Sequence, residues 1–509
     1  MSFLSFTFAL FVAIALAVYF LWVPKKYQWC VLLVISYVFY AFAGWKLFFF
    51  ILFTTTTVFI CALLLKKIKT KNRKTAAIAL VIVGNFAILA FFKWFNTLAG
   101  WGNRLLDAIG DPTVHIPLFS LLLPLGISFY TFQAIGYLID VSRGKVEPER
   151  NFAKFALFIS FFPQLVQGPI SRHSELADQL YASRRFDYDE ARRGFQLVVW
   201  GLFKKLVIAD RLLLTTSQIF SDQEAYNGLY FLFGGIVSFV KLYADFSGGV
   251  DIARGVAQMF GINMPQNFRR PFFSNTLSDF WRRWHMTLNL WWRDYLFYPF
   301  VLSKAMTRFG KFVRNHIGPE FSRVVGVYIG IYVVRVINAM WHGADLFLIA
   351  SGLYHGFLIT TGLMLTPVFI KIIRLLHINT GCFSWRLFQI VRTFLLVSIG
   401  QIFWNAGGVK ASITAIVSIF KDFNPWILNL DSTLLVGMSE WDAKIIFISV
   451  LLLIIVEVFQ EKGISIRETL ERQIIAFQWI VLLGGIFATI LWGQYGIGYN
   501  ATDFIYRGF

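Results

Sequence analysis

Seven histidines are the residues of this chain best suited to acid–base work near neutral pH. Three of them sit in aromatic-rich, nearly apolar surroundings: His285 in SDFWRRWHM, His342 in VVRVINAMWHG and His355 in GLYHG. His342 carries the most informative spacing. Arg335 and Asn338 precede it by seven and four residues, which puts all three on one helical face. An ionisable group inside a membrane costs at least about 2.5 kcal/mol at the helix centre, so such a stripe has to earn its place. Two readings stay open: the stripe lines a wet cavity, or His342 hydrogen-bonds across helices as a packing residue. Trp341 adjoins the histidine, and Gly343 after it lets another backbone or a substrate come close. His285 is flanked by Trp281, Arg282, Arg283 and Trp284, which suits either a site or an interfacial anchor. His355 reads first as an interhelical hydrogen-bonding histidine. His115, His173, His316 and His377 fall in expected loops and read as solvated surface residues.

Other polar groups are candidates for the same purpose. Ser128 and Gln133, with Tyr137, form a polar stripe in LPLGISFYTFQAIGY that could line a cavity or help helices pack. Asp245 and Asp251 lie in YADFSGGVDIARG, where Gly248 and Gly249 are expected to break the helix and the carboxylates to pair with arginine. No nucleophile elbow, Walker loop or H-E-x-x-H string occurs, which removes standard serine hydrolases, ATP-driven transport and zincin chemistry. Cys30, Cys61 and Cys382 are far apart, so no metal site and no disulfide framework is expected.

The elements that must hold these groups are membrane helices. Of 509 residues 57% are hydrophobic and only 15% charged, against roughly 25% in soluble domains. Mean hydropathy is +0.63. A soluble domain, a disordered chain and a coiled coil are all excluded by that balance. The net charge of +19 belongs to loops that orient the helices rather than to nucleic-acid binding. Apolar runs long enough to approach a crossing are expected at 3–23, 29–44, 46–65, 75–95, 117–139, 194–218, 228–247, 323–341, 346–365, 386–405, 441–459 and 475–493. The fold class is therefore all-α, a polytopic membrane protein of about 12 transmembrane helices. The first 22 residues carry no charge, and KKIKTKNRK at 66–74 holds six basic residues. Alternating the spans with the N-terminus outside puts this loop inside, as the positive-inside rule requires. Residues 249–320 are rich in Trp, Phe and Arg but too interrupted to span, which suits helices lying in the interface. The Pro-Gln-x-x-Gln-Gly-Pro string at 163–169 suits a re-entrant piece beside a funnel or tunnel. There is no two-half internal repeat of the transporter kind.

Taken together, LPLGISFYTFQAIGYLIDVSRG (123–144), FFPQLVQGPISR (161–172), GLFKKLVIADRL (201–212), YADFSGGVDIARG (243–255), FRRPFFSNTLSDFWRRWHMTLNLWWRDYLFYP (268–299), NAMWHGADLFLIASGLYHG (338–356) and the tail YGIGYNATDFIYRGF (495–509) resemble the membrane-bound O-acyltransferases. The bacterial branch that acylates cell-surface polymers is the nearest in pattern, alginate and peptidoglycan O-acetylation proteins more so than the teichoic acid D-alanyl transfer protein. The resemblance implies one membrane domain over 1–509, with N-terminal helices at 1–115, a core with the signature strings at 116–365 and C-terminal helices at 366–509. It implies two signature histidines, His342 and His285, with His342 the catalytic one. Beside them, Asn338, Trp341, Arg335, Arg282, Trp284, Gln133 and Ser128 are the expected substrate-binding or tunnel-lining residues.

The implied activity is transfer of an acyl group, acetyl foremost, from a cytoplasmic thioester to hydroxyls of an extracytoplasmic polysaccharide or of a partner transferase. The donor, acetyl-CoA or an acyl carrier, is a substrate, and no tightly bound cofactor is expected. The expected partners are the donor, a glycan acceptor, an extracytoplasmic acetyltransferase and the lipid bilayer, in a cell (cytoplasmic) membrane. D-alanyl transfer from a carrier protein and glycan or lipid transport are the alternatives. The topology has a direct test. A cysteine placed at Lys71 is expected to resist membrane-impermeant thiol reagents in intact cells, and ready labelling there overturns the orientation.

Overall fold

The computed structural model describes residues 2–110, 115–119, 123–428 and 436–495. Part of the expected span 117–139 and all of the tail string except Tyr495 lie outside them. Among the described residues every regular element is a helix. Seven helices are long and apolar enough to cross a membrane: Trp45–Leu64, Lys71–Ile109, Leu229–Met259, Pro319–His342, Leu346–Met364, Phe383–Asn405 and Ile475–Trp492. The expected count of 12 is not confirmed among the described residues. Span 3–23 falls on Phe6–Ala17 with a π turn at Val18–Trp22, and 29–44 on the 14-residue helix Gln28–Ala41. Span 194–218 breaks into Tyr188–Phe203, a π turn at Lys204–Ala209, and Asp210–Ser221. Long outward-facing apolar side chains such as Phe49, Val83, Phe447 and Ile480 remain for lipid to cover.

The chain forms two compact units, each assembled from separated stretches. The first takes residues 1–207, 244–266 and 467–509. Its centre is the helix Ile127–Ser142, buried over nearly its whole length, polar Ser128, Thr131, Gln133 and Asp140 included. Gly126 caps that helix in the left-handed region at φ 69, and a Cβ there would lie 2.3 Å from the Leu165 carbonyl oxygen. Only glycine permits both. The 163–169 string does interrupt the backbone: Phe152–Ser160 ends at Phe161, and the short helix Phe162–Gln167 follows. Gln133 Nε2 donates to the Phe158 carbonyl at 2.8 Å, and Gln164 Nε2 donates to Gln133 Oε1. The buried glutamine thus satisfies the broken backbone from a neighbouring helix.

Gly248 and Gly249 do not break their helix, which runs unbroken from Leu229 to Met259. Gly248, like Gly255, is there for close approach. A Cβ on Gly248 would sit 2.8 Å from the Gly201 carbonyl oxygen, and one on Gly255 2.5 Å from that of Gly194. The π turn at Lys204–Ala209 lies beside this seam, and there Lys205 Nζ meets Asp245 Oδ1 at 2.6 Å and Lys204 Nζ meets Asp251 Oδ2 at 2.7 Å. Lysines, not arginines, are the main partners; Arg254 only approaches Asp251 at 3.5 Å.

The second unit takes residues 208–243 and 267–466. It holds an apolar cluster around Ile219, Phe231, Ile402 and Ile419. The expected interfacial stretch appears as short helices, among them Leu277–Arg283, Met286–Trp292 and the amphipathic Lys304–His316. His173 corrects the surface reading: its ring is half-buried, 4.9 Å from both Tyr137 and Phe158 in the first unit.

Removing one member of a buried ion pair strands the other and costs about 3–5 kcal/mol, whereas replacing both with apolar residues is near neutral. Lys205→Met alone is expected to lower the unfolding temperature in detergent markedly, and adding Asp245→Leu to recover most of the loss. Additive damage in the double variant would show that the pair does not act as a unit.

Candidate active site

His285 occupies the turn between Leu277–Arg283 and Met286–Trp292, in the left-handed region at φ 43 and ψ 54. Such a backbone is unfavourable for any residue with a Cβ and persists only where neighbours impose it. They do so here. Met286 N–H donates to the Asn267 carbonyl at 2.8 Å, and Arg269 N–H donates to the Arg283 carbonyl at 2.9 Å. The Asn267 side-chain oxygen accepts from Thr287 N–H at 3.1 Å and from Thr287 Oγ1 at 2.9 Å. His285 Nδ1 lies 3.2 Å from the same oxygen. An amide oxygen can only accept, so Nδ1 carries the proton and the ring lone pair falls on Nε2. The ring is buried, and burial holds its pKa well below the usual value, so the imidazole is neutral at neutral pH.

His342 ends Pro319–His342, with Gly343 following in extended backbone. Its ring lies 4.4 Å from that of Trp341 and edge-on to Trp404 at 4.9 Å. The His285 ring lies 6.4 Å from the same Trp341 indole. The two histidines therefore share one aromatic neighbour, although they come from distant stretches of sequence.

The rest of the polar stripe is docked onto the short helices. Asn338 Oδ1 accepts from Trp292 Nε1 at 3.0 Å. The Arg335 guanidinium lies 4.0 Å from the centre of the Trp281 ring, and its Nη2 donates to Asn289 Oδ1 at 3.2 Å. Asn289 in turn donates to the Trp284 carbonyl at 2.6 Å and the His285 carbonyl at 3.2 Å. Trp284 is a packing residue, ringed by Phe239, Tyr243, Phe268 and Phe280. Arg282 is exposed, with Asp279 at 3.9 Å. Ser128 and Gln133 belong to the first unit and the histidines to the second. His355 is buried edge-on to Trp281 at 5.2 Å. Against its expected interhelical hydrogen bond, Nδ1 has no partner among the described residues.

Sequence spacing missed Asn267, Asn289, Trp292 and Trp404. Asn289 had a usable signal, since it follows His285 by four residues on a short helix. Asn267 had none, because its role depends on a chain crossing eighteen residues away.

Residues 149–314 match the family model described as MBOAT, membrane-bound O-acyltransferase family. The chain is 31% identical over 436 residues to a probable alginate O-acetylase of Pseudomonas syringae pv. tomato, covering 84% of this chain and 77% of that protein. It is 29% identical over 351 residues to a peptidoglycan O-acetyltransferase of Helicobacter pylori, covering 64% and 62%. It is 30% identical over 263 residues to a teichoic acid D-alanyltransferase of Bacillus subtilis, covering 51% and 63%. Apolar helices long enough to cross a bilayer, read with a likeness that runs over most of both chains, make this protein a multi-pass O-acyltransferase of the membrane-bound O-acyltransferase family.

Proposed function

We propose that the chain passes an acyl group, acetyl foremost, from a cytoplasmic thioester such as acetyl-CoA to hydroxyls on an extracytoplasmic polysaccharide or on a partner transferase. The carrying observation is the pair of imidazoles set about the Trp341 indole, at 6.4 Å for His285 and 4.4 Å for His342. In this reading His342 takes the proton of the acceptor hydroxyl. The hydroxyl oxygen attacks the thioester carbonyl, a C–O bond forms, the C–S bond breaks, and the imidazolium returns its proton to the leaving thiolate. A positioned base of this kind contributes about 10²- to 10⁴-fold. Asn338 has its oxygen engaged by Trp292, which turns the amide N–H groups to the other side, where they can meet the developing oxyanion. His285, its tautomer set by Asn267, orients the donor or the catalytic neighbour.

Acetyl is favoured over D-alanyl because the likeness to the alginate O-acetylase spans 84% of the chain and that to the D-alanyltransferase 51%. The basic loop at 66–74 supports a cell membrane with the N-terminus outside, and an extracytoplasmic acetyltransferase is the partner this reading calls for.

Donor binding and acyl transfer, measured separately on the same purified protein, test the assignment. His342→Gln is expected to bind donor like the parent and to lose transfer by about 10²-fold or more, because an amide cannot accept a proton near neutral pH. Near-normal transfer would reduce His342 to a structural hydrogen bond. His285→Asn is the matching test at the turn. Asparagine tolerates left-handed backbone and can still donate to Asn267. The variant is expected to elute and melt like the parent yet transfer poorly, and full activity would make His285 a packing residue.

A further inference from the structure

Around Trp281, in the second unit, three polar side chains lack what burial normally demands. Arg335 is only 9% exposed and His355 6%. Arg335 makes no ion pair among the described residues; Nη2 is engaged by Asn289, but Nη1 is buried with no hydrogen-bond partner. His355 Nδ1 and the Trp281 indole N–H are buried and unpartnered in the same way. The three are neighbours, since the guanidinium stacks 4.0 Å over the Trp281 ring and the imidazole meets that ring edge-on at 5.2 Å. The room for His355 is built in. A Cβ on Gly400 would come within 2.8 Å of its Nε2, and one on Gly352 within 2.7 Å of the Arg335 carbonyl oxygen.

A buried cation without a counter-charge is strongly unfavourable, and stacking on an indole offsets only part of that penalty. Three unpartnered nitrogens, at least two of them fixed donors, call for an acceptor. The planar guanidinium fork matches a carboxylate, which it can hold through two parallel hydrogen bonds. The aromatic walls of Trp281, Phe280 and Tyr354 favour a small, singly charged, flat anion over a phosphate, whose extra charge is costlier to dehydrate.

We propose that Arg335, His355 and Trp281 form a binding site for a carboxylate group. The carboxylate is either borne by an acidic sugar of the acceptor or a free ion, such as the acid left when the acyl donor is hydrolysed. Arg335 stands two helical turns before His342 on the same face, so a group held there is near the reacting end of the helix.

Binding is read without turnover, so the result does not depend on the acyltransferase reading. Detergent-purified full-length protein is titrated at constant ionic strength with acetate, glucuronate and the neutral methyl ester of glucuronate, following isotopically labelled ligand retained and the unfolding temperature. Saturable binding of glucuronate but not of its ester is expected if the source is an acidic sugar, and binding of acetate alone if the source is the free acid. Arg335→Lys keeps the charge but loses the fork and is expected to weaken binding about tenfold or more. Trp281→Phe keeps a stacking face and removes the indole donor, so it guards against misfolding of the arginine variant and is expected to weaken binding by a smaller factor. Arg323→Gln, at an exposed ion pair with Glu320, is the control and should bind like the parent. If none of the three compounds binds saturably, or if Arg335→Lys and Trp281→Phe both bind like the parent, the site is a structural stack of guanidinium on indole and the proposal is overturned.

Discussion

The Asn267 side chain is the contact on which the candidate site turns. One amide oxygen gathers His285 Nδ1 and both donors of Thr287, directly across a left-handed backbone position. Left-handed geometry at a residue with a Cβ costs roughly 1–2 kcal/mol, and two main-chain bonds to the 267–269 stretch supply the restraint. The conformation points the imidazole inward instead of letting Leu277–Arg283 run on into Met286–Trp292. That same stretch is anchored at its other end by charge. Glu461 meets Arg270 at 2.8 Å and Arg283 at 2.9 Å, and Asp279 meets Arg283 at 2.9 Å. Arg270 is itself left-handed at φ 48, so two of the three non-glycine residues at positive φ among the described residues lie in this one crossing. Strain concentrated where the chemistry is expected is what a positioned side chain requires.

A second constraint comes from the absence of water. Buried charge in an apolar chain must be neutralised inside the protein, and the two units show two solutions. In the first, Lys204 and Lys205 meet Asp251 and Asp245 across a seam of facing glycines, which closes a complete set of pairs. In the second, Arg335 has an indole face and one amide oxygen but no carboxylate among the described residues. The first arrangement is self-sufficient and reads as structure. The second leaves the Arg335 Nη1 without a hydrogen-bond partner among the described residues.

What the sequence made legible follows from the range of each interaction. Local periodicity placed Arg335, Asn338 and His342 on one face; Arg335 and Asn338 dock on the 281–292 segment, and His342 meets Trp404. Helix positions fared well where apolar length alone decides, as at Lys71–Ile109 or Ile475–Trp492. The count of spans is not confirmed, because Gln28–Ala41 is only 14 residues long and Ile127–Ser142 is covered by protein over nearly its whole length. Gly248 and Gly249 read as a break because a lone glycine pair has no visible partner; Gly201, which faces Gly248, lies on another helix. Asn267, Trp292 and Trp404 were invisible for the same reason, since nothing local marks a residue whose role is set by a tertiary crossing.

The docking of Arg335, Asn338 and Trp341 explains how two histidines so distant in sequence come to lie about one indole. Arg335, Asn338 and Trp341 occur at helical intervals, and each meets a different point on the 281–292 segment: Trp281 and Asn289, then Trp292, then His285. Each contact fixes one degree of freedom that the others leave, so the short helices cannot slide or rotate against Pro319–His342 without losing all three. Asn289 ties the network together, because it accepts from Arg335 and donates to the main chain of His285. The separation of the two imidazoles is thus set by hydrogen bonds and stacking two turns away from His342. A base that must meet a hydroxyl and a thioester within a few tenths of an ångström depends on that kind of support. In this fold the polar residues that look costly in lipid are the ones that hold the two imidazoles about the Trp341 indole.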